Sequence, residues 1–265
     1  MVKVAASLMI NKINKMNTAN YHENANYKNK HYVVKRQVNN ITLKYNRASS
    51  IIVEESYNNN NGRNEPAIIL FYCEKWDTFV EPGGRIEKMD MELDDILIET
   101  AKRELTEETL NSIGINKLTL MDSAYIDFND KKTKFCSRVF TVGIKGNQFD
   151  KNYYYDNKEI ILKNNVSTVW RETTNVERFY ISDIIKSIND MNFEYHKYDN
   201  VKCTNVNDEI CNIYYRTIGM LEQLINKNLM VEALIEPKEM ISYDFYPNKF
   251  TEKFLIGTKT LEIKV

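Results

Sequence analysis

The segment from Glu81 to Ile115, EPGGRIEKMDMELDDILIETAKRELTEETLNSIGI, constrains this chain more than any other. A turn built on Pro82, Gly83 and Gly84 runs into a stretch with helical periodicity from about Asp94 to Ile113, where Ile96, Leu97, Ala101 and Leu105 recur on one face. Near its end, Glu104, Glu107 and Glu108 fall within five positions of one another. Glu104 and Glu108 stand at i,i+4 and Glu104 and Glu107 at i,i+3, so three carboxylates point toward one region. Each like-charged i,i+4 pair costs a few tenths of a kcal/mol, so something outside the helix must offset it.

A hard divalent cation suits that demand. Magnesium takes a few carboxylate oxygens, keeps waters, and fills its remaining positions with phosphate oxygens. Arg103, at i,i+4 between Glu99 and Glu107, can orient a ligand carboxylate. The two glycines allow the backbone to approach a ligand closely and offer a carbonyl to the metal. A merely solvated acidic helix face would not require Pro-Gly-Gly upstream.

Around this segment, short apolar or alternating runs read as strands: HYVVKRQV, ITLKY, SSIIVEE and AIILFYC. LTLMDSAYIDF and KFCSRVFTVGI flank Asn129-Asp130-Lys131-Lys132 and predict a β-hairpin. A loop rich in Tyr and Asn follows, then a strand at VERFYI and a short helix at SDIIKSI capped by Ser182. Ile210, Ile213, Tyr214, Ile218, Leu221 and Ile225 predict a last helix near Asp208 to Asn226. Strands and helices in this order imply an α+β or α/β sandwich. No run of roughly 18 apolar residues occurs, so no spanning helix and no membrane partner are expected. The four cysteines show no Cys-x-x-Cys spacing and read as reduced, buried thiols, which predicts a reducing, cytoplasmic setting.

The net charge of -1 conceals an asymmetry: residues 1 to 47 hold nine Lys or Arg against one acid, Glu23. Tyr21, Tyr27, Tyr32 and Tyr45 are interleaved with these cations, a mixture suited to a phosphate backbone and its bases. A solvated polar tail is the plain alternative, since the chain carries asparagine-rich runs elsewhere. The sequence therefore divides into a basic arm with strand-like runs at 1–46, a core at 47–190, and an extension at 191–265 whose long helix packs on the core.

The stretch after Gly84 resembles the signature of the Nudix hydrolase superfamily, Gly-x5-Glu-x7-Arg-Glu-U-x-Glu-Glu-x-Gly-U, with U an apolar residue. Arg103, Glu104, Leu105, Glu107 and Glu108 match it position by position, and Pro82-Gly83-Gly84, with Trp76 leading into the turn, fit the family's usual approach. The resemblance covers roughly residues 47–190. It implies an α/β/α sandwich with a mixed sheet, and hydrolysis of a diphosphate linkage in a nucleoside diphosphate derivative with Mg2+ or Mn2+. In that reading Glu107 and Glu108 are metal ligands, Glu104 a ligand or the base, and the Gly84 carbonyl a further ligand. An acidic loop residue before a late strand completes the set, with Glu172 first and Glu177 second.

Counting back from Arg103 puts Asp95 at the first Glu of the signature, eleven positions after Gly84 where six is usual. Leu110 stands where a glycine would stop the helix, which predicts a helix one turn longer, closed by Gly114. The family implies several substrates: the mRNA 5′ cap, ADP-ribose, dinucleoside polyphosphates or diphosphoinositol phosphates. An inactive nucleotide- or RNA-binding module is the remaining alternative. The basic arm favours capped RNA, and segments on both sides of the core resemble the decapping enzymes of large DNA viruses. Trp76, Trp170 and Tyr154 are candidates to sandwich the base, and Lys35 and Arg36 to hold the RNA.

Overall fold

β3 (Arg47–Asn58) and β4 (Asn64–Cys73) form the centre of the molecule because both are apolar on two faces. In β3, Ile51 and Val53 face one core while Ala48 and Ile52 face the other; in β4, Ile68 and Leu70 alternate with Ile69 and Phe71 in the same way. Strands buried on both faces need cover on both, and the chain supplies it as helices. α1 (Ile96–Glu108) and α2 (Lys151–Lys163) close one side, and α3 (Ile181–Asp190) and α4 (Tyr215–Asn226) the other. The result is the expected α/β/α sandwich. The computed structural model describes residues 34–38, 41–59, 61–87, 89–90, 95–113, 125–130, 135–144, 149–164, 172–190, 200–226, 253–256 and 259–262.

The remaining strands are β1 (Val34–Val38), β2 (Ile41–Tyr45), β5 (Thr78–Val80), β6 (Gly83–Arg85), β7 (Tyr125–Asp130), β8 (Phe135–Ile144), β9 (Thr173–Tyr180), β10 (Val201–Thr204), β11 (Ile210–Ile213), β12 (Lys253–Ile256) and β13 (Lys259–Glu262). The main sheet runs β10-β11-β5-β4-β3-β8-β7, and it is mixed: β3 with β8 and β11 with β5 are parallel. β1–β2 and β12–β13 form separate antiparallel pairs. The predicted hairpin is β7–β8, with β7 reaching Asp130, so its turn begins later than Asn129.

One irregularity positions the site. β9 pairs β4 from Ala67 to Cys73, so β3 and β5 share the other edge of β4, at Ala67–Ile69 and Phe71–Cys73. Likewise β8 lines one edge of β3 from Arg47 to Glu54, leaving β4 and β6 to share the opposite edge. The central ladder therefore forks, and the turn from Glu81 to Arg85 fills the fork. Ser50 donates its N–H to the Pro82 carbonyl at 2.8 Å where the two strands part.

Three local expectations are corrected. The Tyr- and Asn-rich stretch is helical, because Asp150 caps α2 through Asn152 N–H and Tyr154 and Ile161 supply a buried face. Residues 210–213 form strand β11, and the last helix starts only at Tyr215. Ile213 is fully buried while Ile210 is 75% exposed, a difference the helical pattern had hidden. Ser182 lies inside α3, where it donates to Glu65 and accepts from Arg63. Residues 200–226 thus continue the main sheet and its core. Among the described residues no helix is long and apolar enough to cross a membrane, and all four cysteines are free thiols.

Candidate active site

The fork sets the two glycines against the helix. A β-carbon on Gly84 would lie 1.9 Å from Glu104 Oε1, and one on Gly83 would lie 2.1 Å from Ser49 Oγ and 2.8 Å from the Ser49 Cα. Gly83 demands glycine because backbone blocks a β-carbon there, while at Gly84 a β-carbon would displace the Glu104 carboxylate. Gly83 N–H donates to Glu108 Oε2 at 2.8 Å, so the turn and the helix hold each other through the acids themselves. Gly84 therefore lies beside Glu104.

The helix ends are set by residues on either side of the acidic cluster. Asp95 is the N-cap, accepting from the N–H groups of Leu97 and Ile98 at 3.1 Å each. At the other end the helix stops at Glu108 and is not one turn longer. Thr109 is the C-cap, Leu110 donates to the Glu107 carbonyl at 3.3 Å, and Asn111 donates to the Thr106 carbonyl at 2.8 Å. This is the bonding of a Schellman stop, with Leu110 at φ 53° where glycine is usual. Leu110 is fully buried and its carbonyl accepts from Asn157 at 2.9 Å. Those contacts offset the roughly 1–2 kcal/mol that a left-handed non-glycine residue costs. Gly114 lies outside the described residues.

Arg103 is held from beneath by Asp90, which the sequence reading missed. Asp90 is 1% exposed and accepts from Arg103 Nε and Nη2 at 3.1 Å each, from Thr100 Oγ1 at 3.0 Å and from Glu87 N–H at 2.8 Å. Arg103 Nη2 also reaches the Arg85 carbonyl at 2.8 Å. Counting forward from Gly84 finds Asp90 at the family's spacing of six, so the five additional residues lie after this acid. Asp95 is not the arginine's partner, and neither is Glu99, which pairs with Lys102. With its rear fixed, the guanidinium presents Nη1 to Glu104 Oε1 at 2.8 Å and to Glu107 Oε2 at 3.0 Å.

All three glutamates are therefore enclosed. Burial pushes Glu107 up to about 8 against the opposing pull of Arg103. Burial likewise raises Glu104, against Arg103 and Arg47, and raises Glu108 well above the carboxylate range, with Glu104 adding like charge and Gly83 N–H opposing. Arg47 sits on the far wall and donates to the Gly83 carbonyl at 2.7 Å. Burial lowers its pKa and the charge of Glu81 opposes that, with Arg216, Glu104 and Glu108 also felt. Glu81 is itself buried and accepts from Thr217 Oγ1 of α4, so the extension reaches the site.

Among the described residues no three His, Cys, Asp or Glu side chains already converge on one point at metal-ligand separation. Glu104 and Glu107 each lend an oxygen to Arg103 and Glu108 lends one to Gly83, so an ion would draw these carboxylates together by rotation. The donor set still fits Mg2+ or Mn2+: hard oxygens, enclosed, and short of countercharge.

Thr173 places the loop acid. Its hydroxyl donates to the Glu108 carbonyl at 2.7 Å and accepts from Tyr154 at 3.0 Å. Glu172, one residue earlier and exposed, is near enough for its charge to raise Glu108 further. Glu177 is instead buried on β9, paired with Lys151. Of the two candidate acids, Glu172 is the one whose charge is felt at Glu108.

The expected base-binding residues fare differently. Tyr154 is corrected to a core residue: it is fully buried, packs on Phe71 and spends its hydroxyl on Thr173. Trp76 is half-buried in the β4–β5 turn. Lys35 and Arg36 stand on β1 opposite Lys44 and Leu43. Trp170 and residues 1–33 of the arm lie outside the described residues.

No family model matches the sequence, and no curated protein matches it. Solved structures overlap it, among them three with a TM-score of 0.34 each. A Caenorhabditis elegans Ap4A hydrolase binary complex is 14% identical, over 53% of this chain and 82% of its own. A mutT/nudix family protein from Listeria innocua is 14% identical, over 70% and 96%. The NUDIX domain of Shewanella oneidensis NrtR complexed with ADP ribose is 10% identical, over 81% and 97%. The function proposed below follows from the chain's own residues and not from these overlaps.

Proposed function

We propose that this chain is a divalent-metal-dependent pyrophosphohydrolase of the Nudix type, cleaving a diphosphate linkage in a nucleoside diphosphate derivative. One observation carries the proposal: Glu104 packs against Gly84, Glu108 accepts from Gly83 N–H, Glu107 shares the Arg103 guanidinium with Glu104, and burial raises all three carboxyls. Such an arrangement is costly in a merely structural helix and useful where a cation is to be held. Bound Mg2+ or Mn2+ would lower the pKa of water and neutralise charge on the phosphate oxygens.

The chain's own part is positioning and proton handling. Glu107 and Glu108 are the candidate ligands with the Gly84 carbonyl, and Glu104 is a ligand or the base that takes the proton of the attacking water. Glu172 stands on the loop side as a further acid. Arg103, anchored by Asp90, keeps Glu104 and Glu107 in register. Asp90 is thereby a positioning residue.

Capped RNA is the substrate we favour, with release of m7GDP, because nine Lys or Arg against one acid in residues 1–47 suit a long polyanion. A small nucleotide such as ADP-ribose or a dinucleoside polyphosphate uses the same glutamates without the arm. A panel of capped RNA, cap dinucleotide, ADP-ribose, dinucleoside polyphosphates and diphosphoinositol phosphates, each with Mg2+ and with Mn2+, separates them. Fastest turnover of capped RNA is the expected result. Far faster turnover of a small substrate would remove the decapping assignment and keep the hydrolase, while a panel without turnover would remove both.

A further inference from the structure

We propose that a nucleobase stacks on the outer face of Trp76, backed by Tyr214, with Arg216 taking the phosphate beside it; the inference rests on the nucleotide reading above and specifies its base subsite. Trp76 and Tyr214 are stacked with their planes 4° apart and centroids 5.0 Å apart. At that separation the parallel rings form an offset stack, which leaves their faces parallel, whereas Phe71 and Phe149 in the core meet edge to face at 88°. A parallel pair of half-buried rings presents a flat surface at the protein's edge. Each face of a nucleobase can extend such a stack.

The pair is rigidly mounted. Tyr214 N–H donates to the Phe79 carbonyl at 3.0 Å, next to the parallel pairing of Ile213 with Phe79. Arg216 Nη2 donates to the Tyr214 hydroxyl at 2.7 Å and lies 4.8 Å from the Tyr214 centroid and 5.7 Å from that of Trp76. Lys75 Nζ is 5.7 Å from the Trp76 ring. Arg216 and Lys75 thus place cations beside the rings, while Glu74 and Asp77 of the same turn are exposed.

The platform connects to the site wall through the start of α4, where Ile218 N–H donates to the Tyr214 carbonyl. Thr217 donates to Glu81 at the site wall. Tyr214 and Thr217 are three residues apart, about 4.5 Å of helical rise. Arg216 lies between them in sequence, so a nucleotide with its base on Trp76 can pass its diphosphate along Arg216 to the carboxylates. The extension beyond the core would then supply base recognition, which the acidic helix cannot.

The test reads binding without turnover. In a Trp170→Phe chain, emission comes from Trp76 alone, and ADP, GDP and m7GDP are titrated in chelator with inorganic pyrophosphate as the baseless control. Saturable quenching by the nucleotides and none by pyrophosphate is expected. Tyr214→Ala should weaken nucleotide affinity by about 5- to 150-fold, the range of one lost stacking contact, and Tyr214→Phe should retain it. Trp76→Leu, followed by calorimetry with circular dichroism as a folding control, should lose affinity to the same degree. Pyrophosphate quenching as strongly as nucleotide, or folded Tyr214→Ala and Trp76→Leu chains binding with unchanged affinity, would overturn the proposal. A chain that shows base-dependent quenching but cleaves no diphosphate would remove the hydrolase reading and leave the platform standing.

Discussion

Asp90 grips Arg103 through both Nε and Nη2 at 3.1 Å, from a position only 1% exposed. Removing one member of a buried pair leaves an uncompensated charge, which typically costs about 3–5 kcal/mol. Asp90→Ala should therefore lower stability by about that amount and lower kcat by roughly 10- to 100-fold, because Glu104 and Glu107 lose their orienting partner. Asp95→Ala removes the N-cap, worth about 1 kcal/mol, and should leave the folded enzyme's kcat unchanged. Chemical denaturation and steady-state kinetics on the two variants decide which acid stands behind the arginine.

The metal-free protein should lose stability as pH rises. Burial lifts Glu107 from an ordinary 4.5 to about 8, and Glu104 and Glu108 move the same way. Between about pH 4.5 and 8 the folded chain keeps a proton at Glu107 that the unfolded chain has released. Stability falls with pH wherever the folded state binds more protons. In chelator the Tm should drop by several degrees from pH 5 to pH 8, and Mg2+ or Mn2+ should restore it at pH 8 by binding the ionised form. A chelated protein whose Tm is flat or rises over that interval would contradict the enclosed-carboxylate description.

Glycine-to-alanine changes at the fork should separate function from folding. Gly84→Ala places a methyl group against the Glu104 carboxylate, a side chain that can move, so activity should fall by at least tenfold with a small change in Tm. Gly83→Ala meets Ser49 down to its Cα, so the strand itself must shift and the Tm should fall clearly. Differential scanning fluorimetry and turnover on both variants check the pair.

The arm is tested by truncation, and the structure limits where to cut. Arg47 belongs to the site wall, and residues 34–38 and 41–45 form β1 and β2, so a deletion should end at residue 33. If the arm makes three to five phosphate contacts on single-stranded RNA, binding should carry a salt slope of about two to three units. The truncated chain should show a flatter slope and unchanged turnover of a cap dinucleotide. An unchanged slope would show that the arm does not hold RNA.

The sheet and the three glutamates were legible because they rest on strong patterns. Runs such as AIILFYC and SSIIVEE are apolar on both faces, and three acids in five positions leave few innocent explanations. Asp90 was hidden by an insertion: counting back from Arg103 crosses the five additional residues, whereas counting forward from Gly84 does not. The helix stop was missed because Leu110 adopts a backbone conformation that its side chain disfavours, and only burial and Asn157 make it acceptable. Ile210 and Ile213 fit a helical period by chance; β11 pairs β10 as a hairpin, and Ile213 also pairs Phe79 of β5, a long-range contact that no local pattern encodes. Glu81, Arg47 and Thr217 meet only through the fold.

The most direct test of the central claim is turnover by Glu107→Gln and Glu108→Gln, each measured with Mg2+ and with Mn2+ on the best diphosphate substrate and paired with a melting curve. Each variant should lose at least a hundredfold in kcat/KM. The metal-free Tm should hold or rise, since a neutral isostere replaces a buried carboxylate that burial already disfavours. Activity that survives both substitutions, or that persists in chelator, would contradict the assignment of these glutamates as the metal-binding centre.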